Sequence, residues 1–192
     1  MFPLVQMLTR YWWVFGARGV LAILYGIFLL LSPGQPLHTF VIATGLFVLL
    51  ESLLILFLIF GRHDEKILIA LAESGVGTCI GLIILFGSTL GSLLMPSVTS
   101  VMVPIYIGLW AILTGLFGFI HAARLRSQVN DLWIIGLSSF VALLFGAWLV
   151  FHRNEGAISL QWPIAAYALL FGVLHVFMII KAKVCPVKVS TL

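Results

Sequence analysis

An all-α integral membrane protein is what this sequence predicts, with six transmembrane helices arranged as three repeated helical hairpins. Three observations carry the prediction. Hydrophobic residues make up 62% of the 192-residue chain and charged residues only 8%, far from the mix of a soluble domain. Apolar runs near the roughly 20-residue length that crosses a hydrocarbon core recur along the chain. Each run is continuously apolar over several turns, whereas a barrel strand alternates in polarity over about ten residues.

The runs lie at about 12–31, 38–60, 67–87, 101–121, 132–151 and 160–180, separated by turn-forming or charged residues. The first ends at "SPGQP", where Pro33 and Gly34 supply a turn. "GRHDEK" parts the second run from the third, and "ARLRSQVND" parts the fourth from the fifth. Residues 88–100, "STLGSLLMPSVTS", form the softest boundary. Arg10 ahead of an apolar run also suits a signal peptide, but the run is long and no small-residue cleavage site precedes "SPGQP", so the first helix is expected to be retained. Residues 1–192 read as a single membrane domain, with hairpin repeats at about 10–62, 66–126 and 131–183.

Arg10, Arg62, Lys66, Arg124, Arg126, Lys181, Lys183 and Lys188 fall in alternate connections, and the other three connections hold only Arg153. Basic residues are retained on the cytoplasmic side during insertion, so both termini are expected to be cytoplasmic. The net charge of +4 calls for no nucleic acid partner; membrane lipids suffice, through topogenesis and attraction to anionic head groups. Cys79 and Cys185 should lie at different levels and stay unpaired, and neither has metal-ligand spacing. A homo-oligomer is left open.

Compared with itself, the chain repeats. Aligning Gly26, Gly81 and Gly146 superposes "RGVLAILYG", "ESGVGTCIG" and "SSFVALLFG", each the first helix of a hairpin. Aligning Gly45, Gly108 and Ala165 superposes "GLFVLLES", "GLWAILTG" and "AAYALLFG", each the second. The repeats run parallel; alternating-access transporters can use parallel repeats but commonly use inverted ones, which counts mildly against a transporter. Gly75, Gly77 and Gly81, and likewise Gly108, Gly115 and Gly118, read as small packing faces. Phe47, Trp110 and Tyr167 share one repeat position and read as large knobs against those faces, not as a ligand cage.

This alignment also puts Arg18 level with Glu73 and Ser138. An isolated ion at bilayer depth is costly, about 2.5–3.5 kcal/mol for Arg at a helix centre, so an intramembrane ion pair of Arg18 with Glu73 is expected. The alternative is that Arg18 snorkels to the head groups on its long stem. Glu51 lies near the middle of the second helix with no cation at comparable depth in neighbouring sequence. It is expected as a neutral carboxyl donating to Ser52, Ser74 or a backbone carbonyl, or, with His175, as a candidate proton-responsive pair. His121, His63, His38 and His152 read as interfacial residues. There is no nucleophile spacing, no HExxH and no phosphate-binding Gly-rich loop, so neither an enzyme nor a cofactor is expected. The one enzymatic alternative is membrane-buried acid/base chemistry using Glu51 and His175.

With "RGVLAILYGIFLLLSPG", "ESGVGTCIGLIILF", "IGLWAILTGLFGFIHAARLR" and "AAYALLFGVLHV", the chain resembles the HdeD-like family over nearly its whole length. Those proteins are bacterial inner-membrane proteins built from paired-helix repeats and linked to acid resistance. The third and fifth helices depart from the pattern, ending in "FGSTLGS" and "FHRNEG" where the first has Pro33-Gly34. The resemblance implies a stress-related role and carries over neither a molecular activity nor a ligand. The expectation is a non-enzymatic protein supporting acid or general stress resistance. The alternative is a small-solute or proton transporter or channel, which would need polar groups at successive depths on one helix face.

Overall fold

The computed structural model describes residues 12–60, 67–125 and 133–184. Arg10, Arg62, Lys66, Arg126 and Lys188, on which part of the charge argument rests, lie outside them, as do His63 and Cys185. Helix α1 (Trp12–Leu31) turns through Ser32–Pro36 into α2 (Leu37–Phe60). Gly34 takes φ 72°, a left-handed value that a residue without a Cβ adopts freely. Helix α3 (Ile67–Leu82) continues through a π-helical segment, Ile83–Ser88, into α4 (Thr89–Leu94). After Met95 come α5 (Pro96–Leu125), α6 (Trp133–Phe151), a 3-10 turn at Arg153–Glu155 and α7 (Gln161–Val184).

The soft boundary at 88–100 is thus mostly helix. Helices α1 and α6 both end five residues beyond their repeat glycines, Gly26 and Gly146, but α3 has no Pro-Gly exit after Gly81 and runs on. The chain accommodates this extension with a π segment, the usual form of a local insertion in a helix.

The expectation of six transmembrane helices is corrected. Among the described residues, three stretches are long and apolar enough to cross a membrane: Leu37–Phe57, Leu71–Leu94 and Pro96–Ile120. Among the described residues the apolar stretches Gly16–Leu31, Gly136–Phe151 and Gln161–Phe177 fall below that length. A crossing takes about 20 apolar residues for a hydrocarbon core of about 30 Å. Reading apolar runs by composition alone overstated the outer helices of the chain.

Packing follows the repeat but not the hairpins. The most extensive contacts join α2 to α3, α5 to α6 and α7 to α1, so each second helix lies along the first helix of the next repeat and the last pair closes a ring. Contacts inside the α1–α2 and α6–α7 hairpins are much sparser. The ring is therefore three tight helix pairs. Small residues make each seam. A Cβ added to Gly146 would lie 2.6 Å from the Gly108 carbonyl oxygen, and one on Gly108 would lie 2.9 Å from the Gly146 oxygen. Gly26 faces Leu169, Gly81 faces Leu49 and Gly146 faces Ile112, three equivalent contacts in the repeat alignment.

The second helices α2, α5 and α7 supply most of the lining of the centre. Phe47, Trp110 and Tyr167 converge there with Thr44, Ile107 and Ile164, leaving a cavity of about 10 Å³. Of the three, Trp110 lies against a small face as expected, its Nε1 3.6 Å from where a Cβ on Gly77 would stand, and all three also pack against other aromatics. Phe47 stacks on Tyr25 at 4.4 Å and meets Trp110 edge-on at 5.9 Å, while Tyr167 stacks on Phe145 at 4.2 Å. The small faces also take aliphatic and serine side chains, Leu49 at Gly81, Val150 at Gly108, Ser52 at Gly77 and Ser139 at Gly118. The outward faces carry exposed large apolar residues such as Leu24, Phe57, Phe86 and Leu144, consistent with lipid contact in a multi-pass, membrane-associated bundle.

Candidate functional site

The turn at Ser32–Pro36 fixes which residues of α1 and α2 share a layer. Arg18 lies thirteen residues before Leu31, and Glu51 fourteen after Leu37. Both are therefore about 20 Å from the turn at 1.5 Å per residue. The same count aligns Tyr25 with Thr44, whose hydroxyls are hydrogen-bonded at 2.7 Å, with Thr44 in turn donating to the Phe40 carbonyl at 2.7 Å.

Arg18 donates twice to one oxygen of Glu51, from Nε at 3.0 Å and from Nη2 at 2.8 Å. Its Nη2 also lies 3.8 Å from Glu73 Oε1, on α3. Arg18 is 8% exposed and Glu51 1%, so the pair is cut off from water. A cation on α1 thus holds carboxyls on α2 and α3, and it links the α7–α1 pair to the α2–α3 pair. Desolvated ions of opposite sign attract strongly, but the gain offsets the loss of hydration only where geometry is good.

The sequence expectation for Glu51 is corrected on two counts. Arg18 is at comparable depth after all: α2 extends further than α1 at the basic end, so a position near the middle of α2 stands level with one closer to the start of α1. Counting from the turn removes the difference. Nor does Glu51 bond to Ser52 or Ser74: Ser52 donates to the Val48 carbonyl at 2.8 Å and Ser74 to the Leu71 carbonyl at 3.1 Å, each within its own helix.

His175 is not hydrogen-bonded to Glu51. Its Nδ1 donates to the Phe171 carbonyl at 2.9 Å, and its ring lies 4.0 Å from that of Phe171. Phe171 holds the repeat position equivalent to Glu51, so the histidine reaches the neighbourhood of the cluster across an aromatic ring. His152 behaves alike at the opposite end, bonded to the Trp148 carbonyl at 2.9 Å and stacked on Trp148. His38 is exposed, as is Cys79.

Tyr167 was missed as a polar group. Its hydroxyl is buried and has no hydrogen-bond partner among the described residues, and it interacts electrostatically with Glu51 and Arg18. The signal lay in the repeat: Tyr25 and Tyr167 are the hydroxyl-bearing members of two equivalent stacks, and a buried phenol calls for a partner. Chemically the site holds one permanent cation against two acids. The guanidinium can balance the charge of one carboxylate and stands within ion-pair distance of both.

Residues 17–86 and 90–151 match a family model described as a short repeat of unknown function, DUF308. The chain belongs to the DUF308 family. The first DUF308 stretch takes α1, α2 and α3 into the π segment, and the second takes the chain from α4 to the end of α6. Each therefore ends on a tight pair, α2 with α3 or α5 with α6, and the cross-hairpin seam lies inside the DUF308 unit. Arg18, Glu51 and Glu73 all fall in the first stretch. No curated protein and no solved structure matches this DUF308 chain.

Proposed function

We propose that this chain is a non-enzymatic protein of the bacterial inner membrane that supports survival under acid or related stress, with the Arg18–Glu51–Glu73 cluster as its proton-responsive part. The observation that carries the reading is one buried arginine shared by two carboxyls on different helices. Attraction across the cluster is present while the acids are ionised and weakens as they take up protons. Its loss would loosen the α7–α1 pair from the α2–α3 pair. Groups facing it are Arg18 from α1, Glu51 from α2, Glu73 from α3, and Tyr167 and His175 from α7. The resemblance to HdeD-like proteins supports the stress role. Lys181 and Lys183 near the end of α7 and Arg124 near the end of α5 support a cytoplasmic basic end, where α1 also begins.

The aromatic closure of the central axis weighs against a conduit, since a cavity of about 10 Å³ is at the lower limit for one water. Deleting the gene and measuring survival at low pH tests the proposal. Complementation by the native chain should restore survival, and Glu51→Gln combined with Glu73→Gln should restore it poorly at equal membrane abundance. A deletion strain that survives as well as its parent removes the acid-stress role. Full rescue by the double variant removes the proton-responsive cluster.

A further inference from the structure

Two buried polar atoms beside the cluster have no hydrogen-bond partner among the described residues: Glu51 Oε2 and Tyr167 Oη. Glu51 is 1% exposed, so Oε2 cannot be served by bulk solvent. Leaving such atoms unsatisfied is costly. Near them Tyr25, Thr44, Ser52, Ser74 and Thr78 are all hydrogen-bonded, and the other buried side chain without partners among the described residues is Gln35, in the turn at the far end of the bundle.

The charges present select the ligand. A metal cation would be repelled by the Arg18 guanidinium, which sits 2.8 Å from the other oxygen of Glu51. An anion would face two carboxyls. Nor can Tyr167 turn to another protein group, because its ring is held in the stack with Phe145 at 4.2 Å and lies 5.8 Å from Phe171. What suits a carboxyl oxygen at one end and a phenol at the other is a small neutral molecule that both donates and accepts.

We propose that Glu51 Oε2 and Tyr167 Oη are joined through bound water, forming a buried hydration site between the ion cluster and the aromatic triad. The proposal rests on the reading of the cluster as proton-responsive and extends it. The water gives Glu51 a hydrogen-bonded neighbour on the side away from Arg18, so a proton on this acid has somewhere to point. The site stops at Phe47, Trp110 and Tyr167, which close the axis, and it is a dead end, not a pathway.

A crystal structure of the full native chain in a lipid phase, at a resolution that shows ordered water, tests this. The expected result is water density within hydrogen-bond distance of Glu51 Oε2, continuing to Tyr167 Oη, with the outer water lost in Tyr167→Phe while the Arg18–Glu51 bond remains. A direct Tyr167–Glu51 hydrogen bond, or a dry Oε2, overturns it. Infrared difference spectra in ¹⁸O-labelled water give an independent readout. The native chain should show an isotope-shifted band from strongly bonded water that Glu51→Gln abolishes, and a band that persists in this variant overturns the site. Neither measurement depends on survival, so failure of the acid-stress reading would leave this result standing.

Discussion

Arg18 and Glu51 meet at 2.8 Å because they stand at equal distances from the turn that joins α1 to α2. This pair, inside a hairpin whose helices otherwise touch sparsely, substitutes polar attraction for the close seams found between repeats. Truncating Arg18 leaves Glu51 buried without its cation, and truncating Glu51 leaves Arg18 with only the longer 3.8 Å contact to Glu73; breaking a buried pair typically costs about 3–5 kcal/mol. Arg18→Met and Glu51→Leu should each lower thermal stability in detergent strongly, and the double variant should recover much of the loss. Strictly additive losses would show that the two side chains are not coupled.

Glu73 should matter less than Glu51, because it stands 3.8 Å from the guanidinium and its side chain is 11% exposed against 1%. Glu73→Gln is expected to cost less than half as much as Glu51→Gln in the same melting assay. The charge reversal most able to restore stability is Arg18→Glu with Glu51→Arg, not the reversal with Glu73.

The closed ring makes a steric prediction. Gly146→Ala places a Cβ 2.6 Å from the Gly108 oxygen and should destabilise by about 1–3 kcal/mol, as overpacking does. Gly136→Ala, where nothing lies within 4 Å, should be neutral or stabilising by up to about 1 kcal/mol through helix propensity. Equal effects at the two positions would contradict the seam.

Much of this was legible in the sequence. The apolar runs located α1, α2 and α6 to within a residue or two but missed Thr89–Leu94 and the first turn of α5, and the alignment of Gly26, Gly81 and Gly146 found the positions that line the seams. What it could not reveal was which helices those glycines face, since a repeat fixes equivalence and not partnership. The Arg18–Glu51 bond was readable too, had depth been counted from Pro33-Gly34 and not from the basic ends. The π segment was not, because nothing in "IILFGS" by itself departs from helical apolarity. The number of membrane-crossing helices was overstated because each apolar run was read as a full crossing, whereas three of the apolar stretches among the described residues fall short of the length that a crossing takes.

Gln161 supplies a prediction at the other end of the bundle. Its Nε2 donates to the Leu29 carbonyl at 2.7 Å and the Ser32 carbonyl at 2.8 Å, satisfying the end of α1 from the start of α7. Gln161→Leu leaves both carbonyls without that donor and should cost about 1–3 kcal/mol. Amide exchange at the start of α2 should quicken in parallel, since the α1–α2 turn loses its anchor. Unchanged exchange there would confine the effect to α7.

The central claim is that protons at the cluster control how α1 is held to α3, and a distance measurement tests it most directly. Spin labels at Leu24 on α1 and Val76 on α3, both exposed, would be placed in a background with Cys79→Ser and Cys185→Ser and read by double electron–electron resonance in lipid. The account predicts a longer or broader distance distribution at acidic than at neutral pH. It also predicts that Glu51→Gln with Glu73→Gln shows the acidic distribution at both. A native chain whose distribution is the same at both pH values, or a double variant that still responds, would contradict it.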